Sequence, residues 1–484
     1  MSLSLLALGL FVGQTLSFNC SVTPIYVDIH TRAVHNVESF EWGSFVGFGS
    51  PSQNMSLPVS LSNNETSVAE DGFCQHSKLS QCQNSTGGFL ETRLSTTWKS
   101  TPDYRSTDSD DQSSRSAFFG TDKLHVYTHF FEVDPASQTV VDDFPVKVVS
   151  AGDSNPGWLG LGLGSTLLDK LYTNGLISSR SFSFYVGTSQ ARAGGQINGS
   201  VTLGGYDASR FTGTVHNYSI SGNSRNPFQV RVSDIIIDGV DGKPSNISLL
   251  DKNRFSNISE DAAGFDAEIS SEQWPLSLPY EVTQNFKELL NAESSDAPDG
   301  SLRLKSPFNG TMSIILSDGF KVSIPAELLY NTSGLTAVAD RPRQSNASIA
   351  LSSAWLSQVY LMADYEAHAF HLAQAVLEAP FISMRTTCPK IVPLPYQDPP
   401  RSGFSKFGLV GAIVGGVIGF LALCTALVCI VTVLRRRKAK TAEAQIEKGK
   451  KSARIAEFEF EGDGKELLNT SSRKPGRSWF RRGS

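Results

Sequence analysis

Gly49–Val68 reads GSPSQNMSLPVSLSNNETSV, and Ala267–Val282 reads AEISSEQWPLSLPYEV. Each carries a close pair of serines: Ser60 and Ser62 in the first stretch, and Ser270 and Ser271, followed by Glu272, in the second. The second stretch continues through Leu278-Pro279 into YEVTQNFKELLNA, which carries a helical pattern. The chain around both stretches predicts an all-β fold. From Phe18 to about Cys388 it is rich in Ser, Thr, Val, Phe and Gly and breaks into short alternating runs with turn residues between them. Examples are KLHVYTHFFEV, SVTLGGY, NYSISG, FQVRVSDIIIDG and GTMSIILSDGFKVSI. One other helical pattern stands out, STLLDKLYTNG.

The 484 residues suffice for a large core or two lobes. The opening MSLSLLALGLFVGQTLSFNC is apolar from Leu3 to Val12 and has small residues at Thr15 and Ser17. It reads as a signal peptide over 1–17, although its first residues carry no basic side chain. A second apolar run, Phe407 to Leu434, has 28 residues and no charge. As a helix it would measure about 42 Å, against a hydrocarbon core of roughly 30 Å. A buried core helix is the alternative, but length and purity favour a single membrane span. Arg435, Arg436, Arg437 and Lys438 follow at once, which predicts a cytoplasmic C-terminus and an external N-terminal region. The expected location is the plasma membrane or another membrane of the secretory pathway.

Charge divides along that boundary. The tail 435–484 has 15 basic and 7 acidic residues, a net charge of +8; the remainder has 27 and 40, a net charge of −13. An acidic outer region argues against nucleic acid as a partner, and a basic tail suits the inner leaflet or cytosolic proteins. The tail is expected to be helical near the membrane and disordered beyond it. Eleven Asn-x-Ser/Thr sites precede the span, at Asn19, Asn54, Asn64, Asn84, Asn198, Asn217, Asn246, Asn257, Asn309, Asn331 and Asn346, and predict a glycosylated surface. Asn469 matches too but falls in the cytoplasmic tail. Six cysteines are few for a secreted chain. Cys74 and Cys82 fit a local loop disulfide worth about 2–3 kcal/mol. Cys20 and Cys388 bracket the region and can pair, while Cys424 and Cys429 fall in the span. CPKIVPLPYQDPPRSGFSK, with five prolines, reads as an extended stalk over 389–406.

Several pieces resemble the pepsin-like aspartic peptidases, in that family's order. FGSPSQ is similar to the Gly-Thr-Pro-x-Gln that precedes the first catalytic aspartate, and STTWKS to the segment after the first disulfide loop. PGWLGLGLGSTLLDKLYTNGLISSRSFSFYVG resembles the strand, helix and strand that close the first lobe. SVTLGGYDASRFTGTV resembles the crossover between lobes, and SIALSSAWLSQVYLMADYEAHAFHLAQA the closing stretch. The likeness covers about 370 residues, and the layout is most similar to fungal membrane-anchored members. It implies a bilobal fold, with lobes of about 18–206 and 207–388.

In that alignment the two aspartate positions fall on Ser60 and Ser270, and the chain contains no Asp-Thr-Gly or Asp-Ser-Gly. The family's mechanism needs two carboxyls sharing one proton, one acting as base on water and the other as acid on the substrate carbonyl. Serine hydroxyls cannot replace them, and a serine nucleophile would need a neighbouring base. No Gly-x-Ser-x-Gly elbow is present and no histidine lies near either serine in sequence. Ser62, Glu272 and Ser352 also stand where the resemblance implies other residues, glycines at 62 and 352 among them. Their presence predicts that the usual floor of the site is not built. The tyrosine of the overlying hairpin is either Tyr104 or Tyr127.

The expectation is therefore an inactive membrane-anchored relative that binds a peptide or a cell-surface protein. Two alternatives stay open. One is a peptidase with a displaced pair drawn from Glu65, Glu268 and Glu272; the other is a structural glycoprotein. No cofactor is expected. Gly160, Gly162 and Gly164 lack nucleotide-loop spacing, and the pairs His125/His129 and His368/His371 lack a third metal ligand, so no metal is expected. Gly411, Gly415 and Gly419 repeat on one side of the span and predict a helix association face, hence a homodimer.

Overall fold

Alternation places the core. In Gln229–Asp238 the buried side chains are Val230, Val232, Ile235 and Ile237, and the change of phase after Val232 coincides with a bulge against Thr311–Leu316. Inserting one residue turns the following side chains to the other face, so both halves of the strand can bury their apolar members. The computed structural model describes residues 20–456 apart from 105, 107–115, 128–137, 190–195, 223–224, 259–263, 332, 389–390 and 399–403. The predicted signal peptide 1–17, Asn19, His129, Asn469 and the tail beyond 456 lie outside the described residues.

The chain forms two units, 1–397 and 398–484. The first is almost entirely β. A 13-stranded sheet carries strands from both halves of the unit. Its central stitch is the antiparallel pairing of Ser181–Tyr185 with Val359–Asp364 on one side and Gly199–Leu203 on the other. Ile25–Ala33 continues the sheet next to Gly199–Leu203, then Phe40–Phe48, Ser116–Tyr127 and Gln138–Ala151. A six-stranded sheet built on Gln229–Asp238 belongs to the second half alone. Phe182, Phe228, Phe370 and Tyr365 pack ring against ring where the halves meet. Burying aromatic surface on both sides makes the two halves one folding unit.

The two predicted helices form at Thr166–Thr173 and Tyr280–Leu290. Ser165 caps the first, its hydroxyl accepting the Leu168 N–H. Pro279 precedes the second, where its missing N–H costs nothing. Disulfides join Cys74 to Cys82 and Cys20 to Cys388, and the second ties both ends of the β unit together.

The stalk differs from expectation. Ile391–Gln397 does not stand free: Pro393 is buried, the Tyr396 N–H donates to the Ala208 carbonyl at 2.7 Å, and Tyr396 packs edge-on against Phe381. Pro393 and the ring of Tyr396, with the backbone bond to Ala208, hold this segment on the β unit, while Ile391, Val392 and Leu394 stay exposed. Among the described residues the second unit contains one helix, Phe404–Ala456, in which Val414–Glu447 is long and apolar enough to cross a membrane. Gly411, Gly415 and Gly419 lie exposed on it, with nothing within 4 Å of an added Cβ.

Candidate functional site

Each serine stretch is held by a short parallel pairing within its own half. Val59 and Ser60 pair with Leu159 and Gly160; Glu268 and Ile269 pair with Ala350 and Leu351. The Ser60 carbonyl accepts the Leu161 N–H at 2.9 Å, and the Ser270 N–H donates to the Leu351 carbonyl at 2.9 Å. In the first half the close approach requires glycine: a Cβ on Gly160 would stand 2.5 Å from the Glu65 carbonyl oxygen.

The expectation that the floor is not built is therefore corrected. Both loops are formed, and the serine at 352 fits because its backbone is extended (φ −97°) and its hydroxyl donates to the Trp274 carbonyl at 2.5 Å. Ser62 and Glu272 likewise avoid the left-handed region. Loss of a glycine matters only where φ is positive or a Cβ would collide, and neither holds at these positions.

The two loops meet at Glu272. Its carboxylate accepts hydrogen bonds from the hydroxyls of both Ser60 and Ser62. Ser60 Oγ in turn accepts the N–H of Asn63 at 2.9 Å and of Ser62 at 3.3 Å. Two more bonds cross between the halves: Ser271 Oγ to the Val59 carbonyl at 2.7 Å, and Arg225 to Asn63 Oδ1 at 3.1 Å. Ser60 is fully buried and Ser270 nearly so. Ser270 Oγ accepts the Glu272 N–H at 3.3 Å, and neither serine is bonded to a histidine.

The three acids considered from sequence have different surroundings. Glu272 holds the centre. Glu65 is buried with Lys147, 4.0 Å away, and accepts a bond from Ser106. Glu268 sits on the strand Phe265–Ile269; burial raises its pKa, opposed by a hydrogen bond from Ser348, and the nearby Glu272 charge raises it further. The closeness of these acids in sequence to Ser60 and Ser270 had left a displaced pair open. Strand alternation gives the acids different surroundings, and the carboxylate of Glu272 bonds across to the opposite half.

Of the two tyrosines, Tyr127 bonds Ser52 at 2.9 Å and Asn54 at 3.2 Å. Tyr104 packs on Phe119 and lies two residues before Ser106, so its segment reaches the first serine loop. A pocket of about 190 Å³ opens beside Glu272, lined by Trp42, Pro58, Phe184, Trp274 and Ser353 among others. The tryptophans at its walls had no sequence signal. Among the described residues, no cluster of three His, Cys, Asp or Glu is placed to hold a metal ion. His125 bonds the Gly49 carbonyl and Gln138 instead.

Of the sequon asparagines, Asn84, Asn198, Asn217, Asn246, Asn257, Asn309 and Asn346 are exposed. Asn54, Asn64 and Asn331 are half-buried and use their side-chain oxygens as acceptors.

A β unit in which two halves each present a serine loop on a short parallel pairing, and share a sheet, defines a bilobal protein of the pepsin-like class. Comparison agrees. The model of the eukaryotic aspartyl protease family matches residues 44–375, and the chain belongs to that family. It is 26% identical to Aspartic proteinase 3 of Saccharomyces cerevisiae over 316 residues, 60% of this chain and 51% of that protein. It is 29% identical to Rhizopuspepsin-3 of Rhizopus niveus over 195 residues, 38% of this chain and 43% of that protein. The chain thus spans about half the length of these curated relatives.

Proposed function

We propose that this protein is a catalytically inactive member of its family, anchored in a membrane by its C-terminal helix, whose β unit binds a peptide or protein segment. Ser60 and Ser270 would stand at the two aspartate positions. The observation that carries the reading is the bonding of Glu272. Its one carboxylate accepts from two serine hydroxyls across the centre of the site. Aspartic catalysis needs an acid and a base sharing a proton over one water. A lone carboxylate already satisfied by hydroxyl donors is a structural acceptor. The site then keeps the family's recognition surface without its proton chemistry, and the adjoining pocket with its tryptophan walls is where a side chain of the ligand would seat.

In this reading the β unit is external and glycosylated. The basic tail faces the cytosol, and association through the glycine face would pair two tails at the inner leaflet.

A peptidase reading draws on one observation, the raised Glu268 carboxyl near the charge of Glu272. There Glu268 would serve as the acid and Glu272 as the base. Affinity selection from a peptide library on the immobilised full chain separates the readings. Peptides retained intact support the binding role. Peptides recovered shortened support a peptidase, and retention of none supports a structural glycoprotein.

A further inference from the structure

Among the described residues of the β unit, eight large apolar side chains are strongly exposed, and five of them fall between 381 and 394: Phe381, Ile382, Ile391, Val392 and Leu394, at 40% to 61% exposure. They are neighbours in space. Met384–Thr386 pairs with Gly205–Asp207, and the Ala208 N–H donates to the Ser383 carbonyl at 2.8 Å. The second segment lies on the same residues, through Tyr396 to Ala208 and through Leu394 to Tyr206 Oη at 3.4 Å. The patch is held by a strand, a ring contact and buried Pro393, so its apolar side chains are presented rather than merely loose.

We propose that this patch rests in the interface of the lipid bilayer and holds the β unit down on the membrane. The inference depends on the apolar helix being a membrane span. The chain itself selects this occupant. Because Tyr396 is docked, seven residues of chain separate Gln397 from Phe404, a reach of at most about 25 Å. A bilayer is therefore always within reach of the patch, whereas any other partner must be recruited. Clustered large apolar side chains on a folded surface mark a contact site, and such side chains gain most at the acyl boundary. Arg385 is exposed on the strand beside them and suits lipid phosphate. No glycosylation motif occurs between Asn346 and Asn469. Asn198 lies across a pocket from Phe381 and Ile382, so sugar there would compete with lipid for those two side chains.

The test uses the full chain, and separately Asn198→Gln, in phosphatidylcholine–phosphatidylserine vesicles containing a lipid with a photoreactive group in its acyl chain. After illumination the lipid adducts are mapped by peptide mass spectrometry. The expected result is labelling of 407–434 and of 378–397, with the peptide bearing exposed Phe40 unlabelled. Replacing Ile391, Val392 and Leu394 by serine should reduce labelling of 378–397 by about fivefold or more and leave 407–434 unchanged. Labelling of 378–397 in either chain supports the proposal. Labelling confined to 407–434 in both overturns it, as does crosslinking of 378–397 to a second copy in place of lipid. Absence of label at 407–434 overturns the membrane anchor, and the proposal with it.

Discussion

Glu272→Ala removes the acceptor at the junction of the two serine loops. Two hydroxyl donors lose their partner, but unequally. Ser62 is partly exposed and regains water. Ser60 is fully buried, and although its oxygen still accepts from Asn63 and Ser62, its proton is left without an acceptor. A buried donor stranded in this way costs about 1–3 kcal/mol, and loss of the charge-assisted bond from Ser62 adds a smaller part. The expected destabilisation is about 2–3 kcal/mol. With an unfolding entropy of about 2 cal/mol/K per residue over roughly 370 residues, this lowers Tm by about 3–4 °C. The assay is equilibrium urea unfolding of the purified chain, with Ser60→Ala and the double variant completing a cycle. Ser60→Ala removes the stranded donor, so the double variant should recover about 1–2 kcal/mol relative to additivity. A Glu272→Ala chain within about 0.5 kcal/mol of wild type, or strict additivity in the cycle, would refute the reasoning.

Burial pushes the Glu41 carboxyl up to about 7 from 4.5. The folded state therefore binds the extra proton between these values, so stability should fall as pH rises from about 4.5 to 7, and Glu41→Gln should flatten that slope in pH-dependent unfolding. Glycopeptide mapping should find exposed Asn84, Asn217, Asn246, Asn257, Asn309 and Asn346 modified and Asn64 bare, because Asn64 Oδ1 accepts the Gly164 N–H at 2.7 Å beside the serine loop. Gly415→Ile should abolish helix association in a bilayer assay by placing a branched side chain where two backbones would approach; equal association of both chains would show that the glycines serve another purpose.

The β architecture was legible because alternation and turn residues recur at strand spacing, and both short helices carried their own apolar period and start signals. The two serine stretches were legible as the centre of the candidate site. What their substitutions do was not. Whether Ser352 breaks a loop depends on the φ that the fold gives it and on its hydroxyl donating to the Trp274 carbonyl, 78 residues away in sequence. The role of Glu272 was hidden for a similar reason: its acceptor bonds reach across 212 and 210 residues of chain. Trp42 and Trp274 carry no sequence signal of their own, and the fold brings them to one pocket. The docked Ile391–Gln397 segment shows that proline spacing indicates an extended backbone but not whether that backbone lies on a surface.

The most direct measurement of the central claim is hydrolysis. The purified full chain is incubated with a mixed peptide library from acid to neutral pH, and products are read by mass spectrometry with and without a transition-state analogue of aspartic peptidases. Ser60→Asp with Ser270→Asp serves as a companion, expected to stay inactive because Glu272 would stand as a third carboxylate against residue 60. The account predicts no new peptide termini at any pH. Cleavage that the analogue blocks, and that Glu272→Gln abolishes, would contradict it.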